Sequence, residues 1–566
     1  MTDINAVRGE KDITGNSVKD LELEKQDMYT TTIQDGGVVR QAEDGGVAAS
    51  GEPAEDKLHR GLSGVHMQMI AFGGSIGTGL FVGSGKALAT GGPAFLLLNF
   101  MLVGAMVYTV VMALGELATA LPVSGSFSSY STRFIDPAWG FAMGWNYWLQ
   151  WLIVLPFELT VATIVIQYWD VDQKISPGIW IALFLVLIII INLFGVRGYG
   201  NVEVAASLVK IVAILIFFFV AVIVDLGGSP SGKYLGAKTW HNPGATHNGW
   251  KGFVSIFVTA AFAFNGTELV GLAARESANP RKEVPKASKQ VVYRILIFYI
   301  VSLFLVGLIV PYNNPHLMGA KNASSSPFVI AMNIGGIKFL PDAMNAVILV
   351  SVLSVGNSAT YGASRTIAGM AHVGLAPKFL GKIDSKGRPI WAVFISLIVG
   401  CLAFLQYASN KSVIFSWLLA ISGLSGILSW LSICLAHIRF RMAWTRQGHS
   451  LEELPWQSPV GIWGSVFGFV FNILVLILTF YIAVSPIHPA STVSGRLNDF
   501  FQSYLTIPVI ICFFIFAKIK WRTKVPTLVE IDLDSGREIV PIEILRAERE
   551  EAKRQPFSKK ALAALC

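Results

Sequence analysis

Residues 179–196 read IWIALFLVLIIIINLFGV, eighteen positions without one charged side chain. A helix rises about 1.5 Å per residue and the hydrocarbon layer of a bilayer is about 30 Å thick, so about twenty such residues cross it. Comparable runs recur near 66–88, 94–121, 138–168, 178–195, 201–224, 252–272, 289–311, 341–371, 388–407, 411–438, 461–484 and 498–517. Backbone groups in hydrocarbon find no water, so spans of this kind must be helices. The expectation is an all-α polytopic membrane protein with twelve transmembrane helices.

The charges agree. Only 14% of the 566 residues are charged, against about 25% in soluble domains, and mean hydropathy is +0.57. Residues 1–60 hold 13 of the 36 acids. The net charge of +8 is therefore an acidic tail offset by a basic remainder, and no nucleic-acid partner is implied. The expected organisation is a disordered acidic tail at 1–60, a transport domain at 61–518 and a C-terminal tail at 519–566. The tail lacks the apolar core of a signal peptide. An even span count puts both termini on one side. Arg133, Arg197, the cations from Arg275 to Lys289, those from Lys378 to Arg388, Arg439, Arg441 and Arg446 make that side cytoplasmic. Sequons at Asn322 and Asn410 then fall outside, whereas Asn265-Gly-Thr falls within a span and needs another explanation.

GGSIGTGLFVGSGK, Gly73–Lys86, is the densest glycine run in a span. A phosphate loop needs glycine six residues before the lysine and Ser or Thr after it; here stand Leu80 and Ala87. The dinucleotide pattern fails too, with Val82 where its third glycine belongs. Each glycine weakens a helix by about 1 kcal/mol relative to alanine, so a break at 74–79 is expected. Unwound backbone at membrane depth survives only where it is buried or lines a cavity. There its N–H groups can hold a carboxylate and its carbonyls an ammonium. Five spans later, VSIFVTAAFAFNGTELVGLAARE carries a second interruption at Asn265-Gly266-Thr267-Glu268. Two broken spans in matching places fit a 5+5 inverted repeat followed by two further spans. Glycines that only let helices approach closely remain the alternative.

These segments resemble the fungal general amino-acid permeases of the amino acid–polyamine–organocation superfamily. The resemblance runs over roughly 59–525 and includes HMQMIAFGGSIGTGLFVGSG, MALGELATALPVSGSF, LQWLIVLPFELT, FNGTELVGLAARESANPRKEVPKA, SVGNSATYGASRT and SICLAHIRFR. It implies a LeuT-like fold and proton-driven import of L-amino acids across the plasma membrane.

By that resemblance the N–H groups of Gly77, Thr78 and Gly79 meet a substrate carboxylate. The carbonyls of Ser75, Phe262, Ala263 and Asn265 meet its ammonium. Glu158, Lys210 and Glu268 are ionisable groups deep in spans, which are costly and functional candidates by default. Lys210 resembles the lysine that takes the place of a sodium ion in proton-coupled relatives; Glu268, beside the second break, is a candidate to bind the substrate ammonium or carry a proton, and Glu158 a candidate proton carrier or specificity group. Ser354, Asn357 and Ser422 add polar groups, and Phe264 and Trp417 are candidate gates. Glu116 reads as structural or as part of an inner gate. His66 and His437 fall at span edges without ligand spacing. Cys401, Cys434 and Cys512 read as buried small residues, and no metal or cofactor is implied. Lys11, Lys19 and Lys25 suit ubiquitin ligation, Cys566 suits palmitoylation, and membrane lipids are the remaining partners.

Alternatives are a specialised proline or neutral amino-acid permease, a weaker basic amino-acid carrier, and a non-transporting amino-acid sensor. The loop after span 2, PVSGSFSSYSTRF, lacks the acidic–basic motif of sugar facilitators. Neither tail is long enough for a nucleotide domain, and no catalytic array points to an enzyme.

Overall fold

The computed structural model describes residues 63–554, except 124–126, 171, 173, 278, 318–325, 386, 408–410 and 538. The expected tail at 1–60 with Lys11, Lys19 and Lys25, the sequons at Asn322 and Asn410, and Cys566 lie outside the described residues.

The described residues belong to one compact unit, and its regular elements among them are helices. They are α1 (Gly64–Ser75), α2 (Ser84–Ala120), α3 (Phe127–Phe134), α4 (Pro137–Ile166), α5 (Pro177–Leu193) and α6 (Gly195–Asp225). There follow α7 (Gly249–Phe264), α8 (Leu269–Ala273), α9 (Pro280–Ile309), α10 (Pro327–Ile334), α11 (Leu340–His372) and α12 (Ile390–Gly400). The last are α13 (Lys411–Arg446), α14 (Gly461–Val484), α15 (Val493–Tyr504), α16 (Thr506–Trp521) and α17 (Ile542–Arg554). A π-helical turn at Gly79–Gly83 joins α2 to the first break.

The membrane is legible in α5. Ile181, Phe184, Leu185 and Ile188, at the i, i+3, i+4, i+7 spacing of one helix face, are buried. Ile179, Leu183, Val186 and Leu187 on the other side are exposed and equally apolar. A helix in water would be polar there; one facing lipid need not be.

Seven helical stretches are long and apolar enough to cross a membrane, eight with the α15–α16 pair, bent by 64°. Length and apolarity alone thus stop short of twelve. The first stretch, Gly64–Ala120, runs through Gly92, whose φ of +79° precedes Pro93 and turns the chain between two expected spans. Three further apolar helical runs, Pro177–Leu193, Leu296–Ile309 and Ile390–Leu405, have only 10–17 residues.

The glycine at the turn is required. A β-carbon on Gly92 would lie 2.8 Å from Ala245 O, because Ala94 N and His247 N bond across to Ala245 O and Gly91 O.

Helix ends differ from expectation for local reasons. The polar PRKEVPKASK, expected as loop, is the start of α9, with Pro280 in the first turn where its missing N–H is no loss. Ser63 and His66 form a reciprocal cap on α1, and His66 Nε2 reaches Asn201 Oδ1 at 3.0 Å. Asp136 caps α4 by accepting from Ala138 N at 2.7 Å. The expected domain end at 518 falls inside α16, and Ile531, Leu533 and Leu545 beyond it are buried.

The most extensive packing joins α4 to α11, then α2 to α9 and to α7. The first broken segment sits among these: α1 lies on α6, α8, α9 and α11, and residues 79–83 lie on α7.

Candidate functional site

Helix α1 ends at Ser75, and Ile76 is extended (φ −82°, ψ 101°). Ser75 Oγ turns back to Ala71 O and Phe72 O at 2.9 and 3.1 Å. Helical geometry resumes at Thr78, and the first N–H groups of a new helix have no carbonyl one turn back. Helix α7 ends at Phe264. Asn265 is extended (φ −57°, ψ 142°), its N–H bonding Ala261 O and Phe262 O, and Gly266 has φ +100°. Both breaks fall where the interrupted sequences place them.

The breaks interlock. A β-carbon on Gly79 would lie 2.3 Å from Ala263 Cα, and one on Gly266 would lie 2.5 Å from Gly74 O. Each glycine thus admits the backbone just before the other break. Tyr299 of α9 ties the two together, its hydroxyl 2.8 Å from Ser75 O and 2.5 Å from Ala263 O. These are two of the carbonyls expected to face an ammonium. Phe264, an expected gate, instead stacks on the Tyr299 ring at 4.6 Å.

Beside this crossing is a narrow cavity of about 10 Å³, lined by both breaks, α4 and α11. Of the expected residues, Ser75, Thr78, Gly79, Phe262, Asn265 and Glu158 line it. Trp151, Val154 and Val355 line it too and were not singled out in the sequence, where aromatic and aliphatic residues in a span look like packing. Thr78 Oγ1 donates to Glu158 Oε2, not to a carbonyl of its own helix. Glu158 Oε1 and Asn265 Oδ1 are buried without partners, and Trp151 lies against Tyr147. Asn265 Nδ2 donates to Ser422 O at 3.3 Å.

Other expected residues lie off the cavity. Glu268 accepts from Gly266 N, Tyr147 Oη and Trp430 Nε1 at 3.2–3.3 Å, so it holds the second break from behind. Asn357 Oδ1 accepts from Asn192 at 3.0 Å. Trp417 is half-buried and Ser422 Oγ has no partner, and neither lines the space. Gly77 packs on Val355.

Lys210 donates to Gly73 O at 2.6 Å and to Ser354 Oγ at 2.9 Å. Ser354 therefore belongs with Lys210 and not with the cavity. Ser354 in turn donates to Glu203, a fully buried acid that the sequence reading passed over. The available signal was its position seven residues before Lys210, on the same helix face.

Two further charged clusters emerge. Glu276, at the end of the segment after the second break, pairs with Arg365 of α11 at 3.1 Å and accepts from Tyr361 Oη at 3.0 Å. Glu116 forms a two-pronged pair with Arg441 and accepts from Ser458 N at 2.6 Å. His437, expected at a membrane edge, is fully buried, with Nε2 3.1 Å from Glu116 Oε1. Helix α13 runs on to Arg446, two turns past the expected end, which places His437 inside the bundle.

The amino acid permease family model matches residues 66–530. The general amino-acid permease GAP2 of Candida albicans is 48% identical over 523 residues, covering 91% of this chain and 88% of its own. GAP1 of Saccharomyces cerevisiae is 47% identical over 510 residues, with coverages of 88% and 84%. Among solved structures, that of Mhp1, a nucleobase-cation-symport-1 family transporter, aligns over 82% of this chain and 96% of its own. Its TM-score is 0.45 at 13% identity. With a family match over most of its length and relatives nearly half identical, this chain belongs to the amino acid permease family and is a multi-pass membrane permease, not an enzyme.

Proposed function

We propose that this chain is a proton-coupled symporter importing a broad range of L-amino acids across the plasma membrane, with both termini cytoplasmic. The observation that carries the reading is Lys210 Nζ, 2.6 Å from the carbonyl of Gly73 just ahead of the first break. A cation there complements the negative end of α1. Lysine supplies it as a fixed ammonium whose proton can come and go, so no bound metal ion is needed.

The substrate carboxylate is received by the N–H groups of Gly77, Thr78 and Gly79, at the positive start of the resumed helix. Its ammonium meets carbonyls of Ser75, Phe262, Ala263 and Asn265, two of which Tyr299 already orients. Neither end of a zwitterion can enter a dry site unpaired. Glu158 brings a further acceptor to the same space. The broad range draws on the names of the relatives, which are general amino-acid permeases.

Uptake of labelled amino acids in permease-deficient cells expressing the chain, at external pH 5 and 7.5 with and without protonophore, tests this. Many substrates accumulating best at pH 5 and none with protonophore is the expected result. Uptake of proline or a single class keeps the mechanism and narrows the range. Binding without uptake ends the transport reading. One observation favours a second specificity: the unpartnered Glu158 Oε1 suits a cationic side chain, in which case lysine and arginine lead the panel.

A further inference from the structure

Lys210 does not stand alone. Glu203 lies seven residues earlier on α6, about two turns away and hence on the same face, and both side chains are fully buried. Ser354 of α11 sits between them. Its oxygen accepts from Lys210 Nζ at 2.9 Å, and its hydroxyl donates to Glu203 Oε1. Both charged groups also meet one residue of α1. Lys210 donates to Gly73 O, and a β-carbon on Gly73 would fall 1.9 Å from Glu203 Oε1. Asn357 and Ser358 of α11 lie against the Glu203 carboxyl as well.

We propose that Glu203 is a second proton-handling group of the coupling unit, taking through Ser354 the proton that Lys210 releases and thereby controlling the grip of Lys210 on Gly73. This rests on the coupling role proposed above for Lys210. In the relay an N–H bond of the ammonium breaks as an O–H bond forms at Ser354 Oγ. The original O–H bond of the serine breaks as one forms at Glu203 Oε1. An ammonium and a carboxylate become an amine and a carboxylic acid, net charge is unchanged, and no lone ion is left in a dry interior. A neutral amine is a weaker donor than an ammonium. The Gly73 carbonyl is then held less firmly, immediately before α1 ends, and the first broken segment is freer to move.

The surrounding ionisable groups are few. Tyr199 on α6 interacts with Glu203, and Glu158 on α4 interacts with Lys210. From α11, Tyr361 stacks on Tyr199 at 4.5 Å, and Arg365 lies over Tyr361 while paired to Glu276. From α1 the contacts are backbone carbonyls, of Gly73 to Lys210 and of Met69 to Ser207.

The test uses the purified full-length chain in proteoliposomes with the membrane potential clamped. Labelled amino acid is followed both as accumulation driven by an imposed pH gradient and as exchange without a gradient. In Glu203→Gln and Ser354→Ala the ratio of driven accumulation to exchange is expected to fall at least tenfold, and the pH profile of uptake to flatten. Glu203→Asp is expected to recover part of both. Lys210→Met is run in parallel. Wild-type ratio and pH profile in Glu203→Gln and Ser354→Ala, with Lys210→Met uncoupled, overturn the role of Glu203 alone. Wild-type coupling in Lys210→Met overturns the Lys210 assignment and the relay with it. Should Glu203→Gln not fold, Ser354→Ala keeps every charge and decides the matter on the same two readouts.

Discussion

Gly79 lies so close to Ala263 that a β-carbon on the glycine would fall 2.3 Å from the Ala263 Cα. The obstacle is backbone, which cannot rotate away as a side chain can. Gly79→Ala is therefore expected to force the two breaks apart, destabilising the fold by about 1–3 kcal/mol and reducing uptake more than tenfold. Gly83→Ala is the control. Its nearest neighbour is the Thr259 methyl at 3.3 Å, and alanine favours a helix, so uptake should stay near wild type. Labelled uptake normalised to surface protein distinguishes the two.

Thr78 donates to Glu158 at the wall of the cavity. Thr78→Val keeps the shape and removes the donor, leaving both oxygens of the acid unpaired. A hydrogen bond to a charged group is worth about 1.5–3 kcal/mol, so transport should drop by roughly ten- to a hundredfold. Thr78→Ser should retain most of it. Equal uptake in both variants would mean that this bond does not serve transport.

Glu276 and Arg365 form a buried pair, with Arg365 also over the Tyr361 ring at 4.6 Å. Removing one partner strands a charge. Arg365→Met should cost about 3–5 kcal/mol, seen as a lower unfolding temperature of the purified protein. The double variant with Glu276→Gln should be less damaged than the two single losses added together.

Asp136 accepts from Ala138 N, Lys518 and Thr523. Burial by itself would raise its pKa, but these three partners outweigh burial and hold the carboxyl below the usual range. A depressed folded pKa gives a contribution that is complete above the unfolded value near 4 and is lost as pH falls through the folded value. Asp136→Ala, which also removes the cap of α4, should lower stability by about 1 kcal/mol at neutral pH. The gap to wild type should narrow below about pH 4, as thermal unfolding across pH would reveal.

Several parts of the site were legible before any fold was known. FNGTE and the glycines from Gly73 to Gly79 interrupt apolar runs, and an interruption is a local property of the chain. Glu158 and Lys210 stood out because a charge in a span is conspicuous anywhere. Glu203 carries the same signal, and its spacing from Lys210 puts both on one face. Trp151 and Tyr299 carried no signal at all, since in a span an aromatic ring that lines a cavity reads like one that packs a core. His437 lies deeper than its place at the end of the apolar run implies, because α13 continues two turns beyond that run.

Composition and periodicity alone determined that this chain crosses a membrane as helices, and where two of those helices break, because water-free surroundings leave the backbone no other choice. Tertiary structure alone decided which buried atom meets which. Ser354 was a plausible cavity residue until α11 laid it between Lys210 and Glu203, and Glu268 a plausible ligand until Tyr147 and Trp430 closed on it. A side chain's chemistry resides in the chain, but its partner is set by the packing of every helix against the others.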